Sequence, residues 1–216
     1  MRILFFSDLH NETNALSRLP DADLILMGGD FTTAGTLSQL SKMIQTVANR
    51  FPAFLGVVGN MDPGTAGEEL LMRSGHGLPA TPTHVLNRFQ ILGLGGGNPS
   101  PFHTPYEWSE EEQEERLKSL NTPLDILVTH APPLGFGADK LPNGMHVGSQ
   151  AIANLVSRLH PALHLCGHIH EAVGIFNENG TILVNPGPFG AEGNHAVIEW
   201  RDGEDKPAVW LAQAGK

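Results

Sequence analysis

The stretch Leu163-His164-Leu165-Cys166-Gly167-His168-Ile169-His170 reads as a buried strand that stops at a glycine and delivers two histidines just past its end. In extended chain, residues two apart share a side, so His168 and His170 aim at one point. Neutral imidazole is a common ligand for zinc, manganese and iron. A lone His-x-His is more often a bland pair than a metal site. The reading therefore depends on what the rest of the chain sets beside it.

Working outward, the same arrangement recurs. Residues 3–6 form a short apolar run, as expected for a strand covered on both faces, and end in Ser7-Asp8-Leu9-His10. Residues 23–27 form a second run that stops at Gly28-Gly29-Asp30, where two glycines let the backbone turn sharply and approach whatever the carboxylate binds. Residues 53–58 lead to Gly59-Asn60-Met61-Asp62, and residues 124–128 to Thr129-His130. Helical patterns separate these runs. Residues 37–47 carry apolar side chains at 37, 40, 43, 44 and 47, a helical stripe. Shorter helices are expected at 15–19 and 68–73, and another at 151–159. Ser109 with Glu112 is a capping box that opens a helix through Leu117 and Leu120. Further strands are expected at 84–87 and 89–94, in a hairpin of 173–176 with 181–184 around Asn179-Gly180, and in a last pair, 195–200 and 208–211. Strand, glycine and ligand-type residue alternating with helices is the βαβ rhythm of an α/β fold whose strand ends build a site. No linker, repeat or low-complexity tract interrupts it, so one domain over residues 1–216 is expected.

Composition narrows the partners. The chain of 216 residues has 13 Lys and Arg against 23 Asp and Glu, a net charge of −10, and a pI near 5.5. A duplex-binding protein normally turns a basic face to the phosphates, and no Lys/Arg cluster is present. Duplex nucleic acid is not an expected partner. A small anionic substrate drawn in by a metal centre is compatible with this balance. Cys166 is the single cysteine, so there is no internal disulfide framework, and its apolar strand suits a buried structural thiol. No apolar run approaches the ~18 residues of a membrane span, and residues 1–6 are too short for a signal-peptide core. The expectations are no membrane partner and a cytoplasmic location. The five glutamates between 110 and 115 read as a solvated helix face near a helix N-terminus.

The polar residues that follow the strands are Asp8, His10, Asp30, Asn60, His130, His168 and His170. All are nitrogen or oxygen donors, and they come from five strand ends. Two divalent ions of the manganese, iron or zinc type suit such a mixed set. An aspartate must bridge them to hold them about 3.5–4 Å apart.

In order, Asp8-Leu9-His10, Gly29-Asp30, Gly59-Asn60-Met61-Asp62, His130 and Gly167-His168-Ile169-His170 resemble the motif set of the calcineurin-like metallophosphoesterases, spread over residues 8 to 170. The resemblance implies an α/β, four-layer α/β/β/α sandwich of two mixed sheets flanked by helices. It implies that Asp8, His10 and His170 bind one metal, that Asn60, His130 and His168 bind the other, and that Asp30 bridges them. Asp30, Asn60 and His168 are the residues it assigns to catalysis itself. A water or hydroxide shared by the ions is then the nucleophile, available at neutral pH because metal binding lowers the pKa of water to about 7. Manganese is the first expectation for the metal, with iron or zinc compatible.

One position departs from the pattern. Where many members have a histidine after the asparagine, this chain has Met61, and a thioether cannot protonate a leaving group. A positioned general acid is worth about 10²–10⁴ in rate. Its loss matters least when the leaving group is an activated phenol or a nucleotide-like group. Because similar small members with a non-histidine here tend toward phosphodiesters, the resemblance implies phosphodiesters as the expected small-molecule substrates. His103 and His146 are the two histidines worth naming as replacement acids, although each reads first as a plain loop residue. Asp62 is expected to orient either His130 or its own loop. The segments 96–108, with three aromatics, and 135–148 are expected to shape the pocket. The competing reading is a non-catalytic scaffold that keeps the fold, as the phosphoesterase-like subunit of the retromer coat is thought to do. Such members usually lack metal ligands, and here all seven are present.

Overall fold

The computed structural model describes residues 1–215. Its first sheet is built on β1 (Arg2–Phe6), flanked by β2 (Leu24–Met27) in parallel and β10 (Asn194–Glu199) antiparallel. The edges are β3 (Leu55–Gly56) and β11 (Ala208–Gln213), giving the order β11-β10-β1-β2-β3. The second sheet has the order β4-β5-β6-β7-β9-β8. Its strands are β4 (Thr83–Val85), β5 (Phe89–Leu94), β6 (Ile126–Thr129), β7 (Leu163–Leu165), β8 (Gly174–Glu178) and β9 (Thr181–Asn185). Both sheets mix parallel and antiparallel pairs.

The period-2 alternation of the strands sorts the core into layers. Ile3 and Phe5 of β1 pack with Leu24 and Leu26 against Ile91, Ile126, Val128, Leu163 and Leu165 of the other sheet. Leu4 and Phe6, on the opposite face, pack under α1 (Leu37–Arg50) and α2 (Gly64–Arg73) through Leu40, Ile44, Val47 and Leu71. The outer face of the second sheet, through Leu92, Leu94 and Leu127, is covered by α3 (Glu110–Leu117) and α4 (Gln150–Leu159). Helix, sheet, sheet, helix is the expected four-layer sandwich.

Some expected boundaries move, each for a local reason. The helix expected over 15–19 is a single 3₁₀ turn, Leu16–Arg18, because Leu19 precedes Pro20 and is extended at ψ 141°. A residue before proline is pushed out of the α region. The strand expected over 53–58 shrinks to β3, since its partner β2 ends at Met27 before Gly28 and Gly29 turn away. The strand expected over 84–87 stops at Val85 because Leu86 and Asn87 form a left-handed turn, φ 54° and 51°. The helix expected over 68–73 starts earlier, at Gly64, and the Ser109 capping box opens α3 as expected. No helix among the described residues is long and apolar enough to cross a membrane.

Candidate metal centre

Five parallel strands, β1, β2, β3, β6 and β7, deliver the site residues from their C-terminal ends, three from one sheet and two from the other. The two halves meet because glycines let the strand ends touch. A side chain at Gly167 would collide with Ser7 Oγ and Asp8 Oδ2, and one at Gly59 with the backbone and carboxylate of Asp30. Asp8, His10, Asp30 and His168 all have positive φ, at 58°, 45°, 51° and 69°. Non-glycine residues in that region are uncommon, and their clustering is a mark of functional sites. This signal has no counterpart in residue spacing.

The structure draws all seven predicted residues into one linked cluster. Asp8, His10 and His170 present ligand atoms to a common point, as do Asp8, Asp30 and His130. His170 Nε2 lies 3.4 Å from Asp8 Oδ1. Asp30 Oδ2 sits 3.7 Å from His10 Nε2 and 3.5 Å from His130 Nε2, between the two halves. Its other oxygen, Oδ1, accepts from the Met61 backbone N–H at 2.8 Å, so Oδ2 is the one left to face inward. The His168 ring lies 5.0 Å from that of His130, and its backbone N–H donates to Asp8.

The pairing of Asn60 with His130 tests whether cations fit here. His130 Nδ1 is 2.8 Å from the Gly28 carbonyl, which can only accept, so Nδ1 carries a proton and, when the ring is neutral, Nε2 offers a lone pair. That Nε2 is 2.7 Å from Asn60 Oδ1. The amide cannot turn round, because Asn60 Nδ2 donates to Thr104 Oγ1 at 2.9 Å. Thr104 Oγ1 in turn donates to Glu107 at 2.7 Å, and Glu107 also accepts from the Thr104 N–H and from Ser100 Oγ. While the ring is neutral, two lone pairs face each other at hydrogen-bond distance, a conflict that a second ring proton on Nε2 would also end. A shared cation resolves that conflict, and the donor set suits a divalent ion of the zinc, manganese or iron type.

The electrostatics point the same way. Burial, reinforced by the charges of Asp8 and Asp62, drives the Asp30 carboxyl well above its ordinary range. Burial would also raise Asp8, but its hydrogen bond to His170 and the nearby imidazoles outweigh it and hold the carboxyl low. Burial lowers His168 to about 3 and lowers His10, whereas the hydrogen bond to Asp8 raises His170. Two imidazoles held toward the neutral form, His10 and His168, beside a crowded carboxylate pair are a set that a cation stabilises.

Above the cluster opens a cavity of about 1120 Å³, reached by His10, Asp30, Asn60, Met61, His168 and His170. Of the two candidate acids, His103 borders it. His146 instead points Nδ1 at Asp139, 2.8 Å away, and is absent from the wall. Of the three aromatics in 96–108, Phe102 lines the cavity. Tyr106 is buried and hydrogen-bonds Glu68, and Trp108 lies under the Arg116 guanidinium. Asp62 accepts from the N–H groups of Phe31, Thr32 and Gly59 and from Thr32 Oγ1. It orders its own loop and the Asp30 turn; His130 is held by Gly28 instead. Thr104 and Glu107 are site residues that motif reading missed, since neither stands in a strand-end motif.

The profile of the calcineurin-like phosphoesterase family matches residues 1–172. An uncharacterized protein of Methanocaldococcus jannaschii is 32% identical over 196 residues, covering 87% of this chain and 88% of that protein. Human metallophosphoesterase domain-containing protein 1 is 26% identical, covering 85% of this chain and 65% of that protein. Among solved structures, a Thermus thermophilus protein shares the fold with TM-score 0.71 and 19% identity, over 99% of this chain and 98% of that one. The phosphopantetheinyl hydrolase of Mycobacterium tuberculosis shares it with TM-score 0.63 and 18% identity, over 86% and 89%. With strand-end ligand motifs, the two-sheet sandwich and a matching profile over most of its length, the chain belongs to the calcineurin-like phosphoesterase family.

Proposed function

We propose that this protein is a dinuclear metal-dependent phosphoesterase that favours small phosphodiesters. The observation that carries the reading is the facing pair of acceptors, Asn60 Oδ1 and His130 Nε2, 2.7 Å apart, with Asp30 Oδ2 suspended between His130 and His10. In this reading Asp8, His10 and His170 would hold one ion and Asn60, His130 and His168 the second, with Asp30 shared between the two sets; manganese is the favoured metal. Bound ions supply an activated water and positive charge for the phosphoryl oxygens. The chain does the rest. Met61 N–H fixes which Asp30 oxygen is offered, Thr104 fixes the Asn60 amide, and the buried, neutral His168 keeps its lone pair free. Met61 also reaches the cavity and has no proton to give a departing alkoxide. That favours esters with acidic leaving groups, and the diester preference is proposed on that basis together with the family resemblance of the Met61 position. A single domain and a cytoplasmic setting complete the proposal, in keeping with one buried, free cysteine.

The test is hydrolysis of bis(p-nitrophenyl) phosphate beside p-nitrophenyl phosphate by manganese-reconstituted protein, with Asp30→Asn as control. The expected result is faster diester turnover that disappears in the control. Faster monoester turnover would sink the diester preference. No turnover of either by protein shown to hold two ions would favour the scaffold reading.

A further inference from the structure

The cavity wall away from the metal centre has a chemistry of its own. It is formed by two loops, and the side chains they turn inward include Phe102, Pro99 and Pro101 from one and Leu141, Met145 and Val147 from the other. Phe102 is 83% and Met145 56% exposed. Isolated exposed apolar residues are ordinary, but a facing set beside a site marks a surface that something covers.

Both loops are braced. Glu107 gathers Ser100 and Thr104, and Ser100 Oγ accepts from the Phe102 N–H at 3.2 Å, so the backbone that carries Phe102 is pinned. The opposite loop closes on itself through Leu141 N–H to Met145 O at 2.8 Å. It is anchored by Asp139, which is fully buried and accepts from the N–H groups of Gly135 and Gly148 and from His146. Asn98 Nδ2 ties one loop to the other at Val147 O, 3.1 Å away. The wall is thus held open by hydrogen bonds made behind it.

Charge narrows the occupant further. Among the described residues that line the cavity none is lysine or arginine, while Asp30 and Glu171 are both acidic. Apart from His103, the wall away from the metal ligands carries no residue that can bear positive charge. A ligand with a second anionic group would find no partner along this wall, and an apolar group would lose water on both faces.

We propose that this wall is an arm-binding subsite: it takes an uncharged apolar or aromatic substituent of a monoanionic phosphoester, held between Phe102 and Met145. The inference rests on the phosphoesterase reading and extends it to substrate class. Substrates with several phosphates, or with an acidic arm, are rejected.

The experiment compares three p-nitrophenyl phosphodiesters whose second arm is methyl, phenyl or 4-carboxyphenyl, using manganese-loaded wild type and the Phe102→Ala/Met145→Ala double variant. In wild type, kcat/KM is expected to rise by about tenfold or more from methyl to phenyl and to fall again for the charged arm. The double variant is expected to erase most of the phenyl advantage, read as the phenyl-to-methyl ratio within each protein. Comparing ratios between proteins removes the intrinsic reactivity of each ester. Calorimetric binding of methyl phenylphosphonate against methyl methylphosphonate gives a second readout that needs no turnover; the phenyl preference should appear in wild type and vanish in the variant. An unchanged phenyl-to-methyl ratio in the variant, with Asp30-dependent turnover intact, would overturn the subsite and leave the phosphoesterase standing. Absent turnover with the phenyl binding preference present would sink the enzyme reading and leave the subsite.

Discussion

Met61 carries the sharpest consequence at the scale of one residue. If its thioether is what denies the leaving group a proton, Met61→His should restore that help where it is needed most. Across a series of aryl phosphodiesters, wild-type rates should fall steeply as the leaving phenol becomes more basic. The variant's slope should be shallower, with a gain of about 10–100-fold at the basic end and little at p-nitrophenol. Parallel slopes would show that position 61 has no part in proton transfer. His164, in β7, makes a different case. It is fully buried, with Nε2 against Thr129 Oγ1 at 2.8 Å, and burial lowers it from 6.5 to about 3. Because the folded state resists a proton that the unfolded chain accepts, its neutral form adds stability above pH 6.5. That stability drains as pH falls from there toward 3, by up to about 1.4 kcal/mol per pH unit. With chelator present, urea midpoints at pH 6.5 and 5 should show wild type losing about 2 kcal/mol more than His164→Gln. Equal losses would mean that His164 does not govern the acid limb.

At the scale of elements, what could be read beforehand was whatever period and punctuation encode. The apolar runs at 3–6, 23–27 and 124–128 announce covered strands, and the glycines at 28, 29, 59 and 167 mark where several of the donors turn inward. That is why the seven donors could be named without coordinates. Boundaries set by a partner were not legible: β3 is two residues long because β2 ends, a fact held in another strand. Helix α3 shows the same limit. Its glutamates read as a solvated face, yet Glu110 accepts from Ser149 Oγ and Ala151 N–H and so closes the start of α4. The brace on Asn60 is the functional instance, because Thr104 lies 44 positions away in an irregular loop. Partners of metal ligands commonly change affinity by about 10–100-fold when removed. Thr104→Val should therefore free the Asn60 amide and weaken one of two manganese sites by about tenfold or more in a calorimetric titration. Thr104→Ser should keep it. If Thr104→Val binds two ions as wild type does, the brace has no role in holding the ligand.

Across the whole molecule, the proposed ligands divide between the sheets: Asp8, His10, Asp30 and Asn60 follow strands of the first, and His130, His168 and His170 follow strands of the second. Apart from this junction the sheets are held mainly by an apolar interface, Phe5 and Leu26 against Ile126 and Leu165, which has no strong directional preference. Arg88 adds a polar tie, reaching the Trp200 and Arg201 carbonyls and Asp202. Bound ions would pin the two strand bundles at one end and so act on global stability, not on a loop. At free manganese a hundredfold above each dissociation constant, every site adds about 2.7 kcal/mol, so two add about 5 kcal/mol. For a chain of this size that is a rise in melting midpoint of roughly 10–20 °C. Differential scanning calorimetry with manganese and then with excess chelator should show one transition in each condition, displaced by that amount, because neither sheet can release its share of the ligands alone. Asp30→Asn should shrink the displacement by at least half, since it strikes the residue placed between both halves. A metal-dependent shift of the same size in Asp30→Asn would place the ions elsewhere. A chelated protein that melts in two separated steps would show that the sheets are independent, and that the site joins them without being needed for their cooperation.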